Sequence, residues 1–341
     1  MNAQATVMRA LLASAALFAG AGTIQAQELN LYTSREPGLV EPLLQAFTED
    51  TGIKVNTVFL KDGLAERVAS EGESSPADVL MAVDAGNMAD LVDRGLTQPV
   101  DSEVLTAAVP ESLRDPDNQW FALSMRARVV YAAKDLDLDS ITYEDLSDPK
   151  WKGRICIRSG QHPYNTALFS AYLAHHDAAK TEAWLTGLKD NLARKAGGGD
   201  RDGAKDILGG ICDIAVANSY YVGLMRSGRG GEEQQAWGDA IKVILPTFED
   251  GGTHVNISGA AVARNAPHRD EAVQLLEFLV SDEAQKIYGA ANYEYPVKPG
   301  ATIDPIIASF GDLTVDPMPL TEIVKNRKEA SEIVDRVGFD N

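Results

Sequence analysis

Apolar positions along the chain change period repeatedly, and those changes mark out its elements. Glu28 to Tyr32 alternates polar and apolar residues, the period-two pattern of a half-buried strand. Pro37-Gly38 turns the chain, and Leu39, Leu43, Leu44 and Phe47 then recur at helical spacing until Gly52 stops them. Ile53 to Leu60 reads as a second strand, Leu64 to Glu71 as an amphipathic helix and Val79 to Val83 as a buried strand. The polar stretch Asp84 to Asn87 is expected to be a loop, followed by a helix from Met88 to Arg94 that Gly95 closes. Three alternations of strand and helix in succession predict parallel strands joined by crossover helices.

From Trp120 the pattern changes. WFALSMRARVVYAAKD holds a near-continuous apolar run, Val129 to Ala133, behind Arg126 and Arg128, and predicts a long strand that leaves one domain for another. Lys152 to Arg158 opens a further α/β unit, with SGQHPYNT as a loop and helices at Ala167 to His175 and Glu182 to Asn191. A Gly-rich stretch, a helix Gly203 to Leu208 and a strand opening at Ile214 follow, the strand stopped by Asn218 and Ser219. After a strand at Ile241 to Leu245, Pro246 to Gly252 is read as a second crossover. Ser258 to Ala263 and helices at Glu271 to Val280 and Asp282 to Tyr288 then complete the first domain, and a last helix runs from about Thr321 to Arg336. Two crossovers imply a hinge. The segments Tyr32 to Pro37, Asp84 to Asn87, Gln161 to Asn165 and Ser219 to Tyr221 all follow predicted strands, so they are expected to line one cleft.

The first residues read differently. Arg9, an Ala-rich apolar stretch from Leu11 to Ile24 and the small-residue end Gln25-Ala26 form a secretory signal pattern, so residues 1–26 are expected to be removed and the chain exported to the periplasm. No Cys follows to carry a lipid, and no later run approaches a membrane span, so stable membrane insertion is not expected. Loss of Arg9 leaves 30 basic against 50 acidic side chains, a net charge of −20. That balance argues against nucleic acid and anionic membranes as partners. In an oxidising compartment Cys156 and Cys212 are expected to form a disulfide, and two isolated cysteines give no zinc set.

Chemistry-bearing motifs are few. Ala196 to Ala204 (AGGGDRDGA) lacks GxGxxG spacing and a GK[ST] end, so it reads as a flexible loop with Asp200 or Asp202 capping the next helix. HExxH and GxSxG are absent. His175-His176 is expected to face solvent, and His162 to be a spectator in a cleft loop. More telling is the run Ile214 to Ala217, which ends in Tyr220 and Tyr221, while Tyr164 lies in another cleft loop, so three phenols could meet. With a pKa near 10, phenols form a poor acid–base set. They suit a hard trivalent cation, which drives their deprotonation and whose charge three phenolates match. On the residues alone, an aromatic pocket for an organic ligand stays open beside that reading.

From LNLYTSREPGLVEPLLQAFTEDTGIKV through SPADVLMAVDAGNMADLVDRGL, ALSMRARVVYA, PYN, GGDRDGA, CDIAVANSYYVGL and NYEYPV, the chain resembles the periplasmic ferric-ion-binding proteins of ABC-type iron uptake, the FbpA/FutA group. CDIAVANSYY is the most specific stretch, because that family carries a paired tyrosine there as iron ligands. The resemblance implies a type II periplasmic-binding-protein fold, α/β, with two mixed-sheet lobes joined by crossover strands. Its lobes would be residues 27–125 with 250–300, and 126–249 with 301–341. Tyr164, Tyr220 and Tyr221 would be phenolate ligands of Fe(III). Where some relatives have a histidine and a tyrosine after the first strand, this chain has Glu36 and Pro37, so the first lobe would ligate little, with Tyr32, Glu36 and Asp84 lining its wall. A synergistic anion such as carbonate would complete the shell, held by Arg126 or Arg35. The implied protein is a monomeric binder and not an enzyme, serving an inner-membrane ABC permease. The alternatives are a carrier of a small organic cation, polyamine- or thiamine-like, and, further off, a periplasmic hydrolase.

Overall fold

The computed structural model describes residues 27–341, so the expected leader, 1–26, lies outside the described residues. Alternation at the start gives β1 (Glu28–Thr33). Pro37 at its first turn and Gly52 in the left-handed region at its end bound α1 (Pro37–Thr51), which buries Val40, Leu43, Leu44 and Phe47. Then come β2 (Lys54–Phe59), α2 (Leu64–Glu71), β3 (Val79–Val83) and α3 (Ala85–Asp93). β1 lies between β2 and β3 and is parallel to both. The short β4 (Thr97–Gln98) and α4 (Glu103–Ala108) lead into β5 (Phe121–Ala133).

β5 is the axis of the molecule. Its first part, Phe121 to Ala127, runs antiparallel to β9 (Val255–Ala263), and its second, Arg128 to Ala132, runs antiparallel to β7 (Ile214–Asn218). β5 is buried on both faces, so it carries Ser124, Arg126 and Arg128 inside the molecule as well as the apolar run from Val129. Between β5 and β9 lie β6 (Ile155–Cys156), α5 (Pro163–His175), α6 (Ala178–Asp190), α7 (Asp200–Leu208), α8 (Tyr220–Arg226), α9 (Glu232–Asp239) and β8 (Ile241–Ile244). After β9 come α10 (Arg269–Leu279), α11 (Asp282–Asn292), β10 (Tyr295–Pro296), α12 (Pro305–Ala308), α13 (Leu320–Lys325) and α14 (Arg327–Arg336). The strand order β2-β1-β3-β9-β5-β7-β6 forms one mixed sheet, with β4 added on β9 and β8 and β10 on β5. Among the described residues no helix is long and apolar enough to cross a membrane.

Several local expectations are corrected. Asp84 to Asn87 is the cap and first turn of α3, because the Asp84 side chain accepts from Gly86 N. SGQHPYNT also ends in helix: Pro163 opens α5 and the His162 ring caps it, so Tyr164 is helical. The chain returns from β8 to β9 through residues 245–254, which include the expected 246–252, and at its end Arg128 N donates to His254 O. The last helix is two, α13 and α14, meeting at Asn326. His175 does not face solvent; it is buried between Asp250 and Asp316, each 2.9 Å away. The sulfurs of Cys156 and Cys212 are bonded, which ties β6 to the chain two residues before neighbouring β7.

Candidate metal centre

β7 ends at Asn218, and Tyr220 and Tyr221 are the first two residues of α8. Successive helical side chains diverge by roughly 100°, yet these two long side chains bring their rings together. Their centroids lie 4.1 Å apart with planes inclined by 34°. From the first turn of α5, Tyr164 brings its hydroxyl to 3.3 Å from that of Tyr220. The three phenols predicted from separate segments are therefore neighbours. Among the described residues no three His, Cys, Asp or Glu side chains gather as a metal cage.

Burial, then the neighbouring phenols Tyr164 and Tyr221, push the Tyr220 hydroxyl well above its ordinary pKa. Tyr221 is raised too, by burial and then by Tyr164, against a lowering pull first from its hydrogen bond with Tyr220 and then from Arg158. Burial thus favours the protonated form of Tyr220 and Tyr221, and a cation beside their oxygens favours the phenolates. His162 stays outside the donor set: its Nδ1 accepts from Tyr164 N at 3.2 Å and its ring meets Tyr164 edge-on. Burial and then Arg158 hold its pKa down at about 4, which keeps the ring neutral as that acceptor.

Cations back the rings. The Arg158 guanidinium stands 5.1 Å from the centre of the Tyr164 ring and Arg201 5.6 Å from that of Tyr221. Arg158 is also paired with Asp200 at 3.2 Å.

The facing wall comes from β1, β5, β9 and the turn before β10. Arg35 and Arg126 are buried, and each donates to Ser258 Oγ, at 3.1 and 2.9 Å. The expectation that they hold a free anion is changed by Glu294: its carboxylate meets Arg35 at 2.6 Å, lies 3.8 Å from Arg126 and accepts from Ser124. Burial opposes the charge on Arg35, yet Glu294 outweighs it and raises the pKa, and Tyr220 is near enough to add to the effect. Asp84 sits at φ 86°, a conformation held by its own bond to Gly86 N, by Asn256 Nδ2 at 2.8 Å and by Arg327 at 3.2 Å. Its oxygens are thus committed to protein donors. The Tyr32 hydroxyl is engaged elsewhere, donating to Glu71 Oε1 at 3.1 Å, beside Arg67. Glu36, at the start of α1, is exposed and makes no side-chain capping bond.

Sequence reasoning assigned no role to Arg158, Ser258 or Glu294, and took Asp200 only as a candidate helix cap, whereas Asp202 makes the capping bond and Asp200 pairs with Arg128 and Arg158. Only Glu294 carried a signal, an acidic residue inside the apolar NYEYPV. Behind the phenols Arg128 and Arg158 both pair with Asp200, so two guanidiniums share one carboxylate. Such a site favours phenolates or a bound anion and disfavours an organic cation.

Residues 74–306 match the family described as bacterial extracellular solute-binding protein. Over 319 residues the chain is 39% identical to iron uptake protein A2 of Synechocystis sp., covering 92% of this chain and 91% of that one. It is similar in structure to the Bordetella ferric binding protein, with 62% identity, a TM-score of 0.90 and coverage of 92% of this chain and 100% of the other. A Trichodesmium protein (IdiA, FutA) in complex with iron and citrate is 40% identical, with a TM-score of 0.86 over 92% of this chain and 99% of that one.

Proposed function

Because the chain belongs to the family of bacterial extracellular solute-binding proteins, we propose that it captures Fe(III) in the periplasm and delivers it to an inner-membrane ABC permease. Its fold is the type II periplasmic-binding-protein fold, α/β, with strands shared between two halves of a mixed sheet. Residues 27–125 with 250–300 form one lobe, 126–249 with 301–341 the other, and the crossing at Arg128 and His254 is the hinge. One observation carries the metal assignment: three phenols from α5 and α8 converge, with two of the hydroxyls 3.3 Å apart, over a surplus of buried positive charge.

Tyr164, Tyr220 and Tyr221 are the ligands. Binding displaces three protons, one from each hydroxyl, and three phenolates neutralise the ion. Capture therefore weakens as pH falls, since protons compete with iron for the same oxygens. Arg35, paired on one side with Glu294, presents the remaining charge to an anion such as carbonate, which completes the shell. Glu36 is the exposed acidic side chain at that wall, whereas Tyr32 is turned away and Asp84 is held as a cap. The protein binds and releases; it is not a catalyst. A polyamine- or thiamine-like cation would meet the surplus guanidinium charge, and the obvious base beside the phenols, His162, already accepts from Tyr164 N.

Titration of the mature apo-protein with ferric citrate tests this reading. The expected result is a visible phenolate-to-iron charge-transfer band that saturates at one iron per chain and is lost in a Tyr220→Phe, Tyr221→Phe double variant. A missing band in the wild type, or an undiminished one in the variant, would overturn it.

A further inference from the structure

The tyrosines lie on two elements far apart in sequence, and one side chain ties those elements together. Arg128 is buried on β5 at the point where the strand leaves β9 for β7. Its backbone is pinned there: the amide donates to His254 O, and the carbonyl accepts from Tyr143 Oη at 2.6 Å. The guanidinium then forks. Nη2 donates to Asn165 Oδ1 at 2.5 Å, one residue beyond Tyr164. Nη1 donates to Asn218 Oδ1 at 3.1 Å, two residues before Tyr220, and to Asp200 Oδ2 at 2.7 Å.

Asp200 and Asn165 stiffen the two arms. Asp200 Oδ2 also accepts from the Asn218 amide at 2.8 Å, so the turn into α8 is held through backbone and side chain alike. Asn165 Nδ2 donates to the carbonyls of Arg158 and Ser159, at 2.9 and 3.0 Å, which fixes the start of α5. Every contact is buried or nearly so, and the planar fork of arginine reaches both arms where the point charge of lysine reaches one. We infer that Arg128 is the positioning residue of the metal centre: through Asn165 and Asn218 it sets the separation of the Tyr164 and Tyr220 hydroxyls, and so the bite offered to the ion. This rests on the ferric reading above.

Arg128→Lys and Asn165→Ala, each in the full mature chain, separate this role from support of the fold. Asn191→Ala serves as the control, because it removes buried bonds to the carbonyls of Leu146 and Asp148 without touching Arg128 or either arm of the fork. Each variant is titrated with ferric citrate, and band position, affinity and melting temperature are recorded. The expected result is a displaced charge-transfer maximum and an affinity at least ~10-fold lower for Arg128→Lys and Asn165→Ala, against a wild-type band for Asn191→Ala. If Arg128→Lys fails to fold, Asn165→Ala decides alone. A wild-type band and affinity in Asn165→Ala, or an equal displacement in Asn191→Ala, overturns the inference. Absence of a band in the wild type instead overturns the ferric reading on which it stands.

Discussion

Replacing Glu294 by alanine removes the carboxylate that lies between two buried guanidiniums. Glu294 is fully enclosed, and its partners Arg35 and Arg126 have side chains 8% and 1% exposed. Water cannot take over the role of the lost charge. Breaking a buried pair from one side costs about 3–5 kcal/mol, because the partner is left charged and unpaired. Here two partners are affected, although Ser258 Oγ continues to accept from both, so the middle of that range is expected. At about 2–4 °C per kcal/mol for a chain of a few hundred residues, the melting temperature should fall on the order of 10 °C. Denaturant unfolding of the apo-protein followed by circular dichroism measures the difference directly. The sign with pH follows from the pKa: burial opposes ionisation, but Arg35 and Arg126 more than offset it, and the carboxyl is held below its ordinary value of 4.5. Its contribution is therefore present above pH 4.5 and lost as pH falls through the folded-state value, so the gap between wild type and variant closes in acid. Phosphate should restore part of the loss in Glu294→Ala alone, by filling the vacated position between the guanidiniums. A cost below ~1 kcal/mol at neutral pH would refute the assignment of Glu294 as their counter-ion.

Other consequences follow from single contacts. Burial, aided by Arg128 and His175, holds the His254 pKa at about 4, so the folded state resists a proton that the unfolded chain accepts near 6.5. Stability should fall by up to about 3 kcal/mol between pH 6.5 and 4, and His254→Gln should flatten that part of the profile. His175 acts in the opposite sense: Asp316 and Asp250 outweigh burial and raise its pKa, so its contribution is complete below pH 6.5 and disappears as pH rises through the folded-state value. His175→Gln should remove that alkaline decline in the same unfolding series. Reducing the bond between Cys156 and Cys212, 56 residues apart, should lower stability by about 4 kcal/mol on loop entropy, read from unfolding with and without dithiothreitol. Arg229 donates to the carbonyls of Ala290 and Ala291 and lies 4.9 Å from the Tyr293 ring centre, joining the loop after α8 to the end of α11. Arg229→Ala should leave the melting temperature within a few degrees of wild type while iron passes to a chelator ~2–5-fold faster, measured by stopped flow.

Much of the fold was legible because period follows face. The limits of α2 and β3 coincide with the expected ones, since Gly63 and Gly72 bound the helix and an apolar run of five fills a buried strand. Helix starts were misplaced where a side chain supplies the cap. Asp84 and the His162 ring each bond an amide two residues on, which turns a polar, loop-like stretch into a first turn. Periodicity also says which face is buried without saying what meets it. Tyr32 lies on the strand before a predicted cleft loop, yet its hydroxyl finds Glu71 39 residues away. Arg35 and Glu294 are 259 residues apart, and Arg128 and Asp200 are 72 apart, so their pairing exists only once the sheet has closed. The tyrosine pair was visible as an abrupt polar end to an apolar run. Its distance to Tyr164 was not, because that depends on Asn165, Asn218 and a guanidinium from a third element.

The central claim is that three phenol oxygens hold one ferric ion. Crystals of the mature protein grown with ferric citrate and bicarbonate, measured above and below the iron absorption edge, test it most directly. The expected anomalous map has one strong peak within bonding distance of the hydroxyl oxygens of Tyr164, Tyr220 and Tyr221, with residual density for an anion on the Arg35 side. A peak bonded to other side chains, or a saturated crystal with no peak among the three oxygens, would contradict the account.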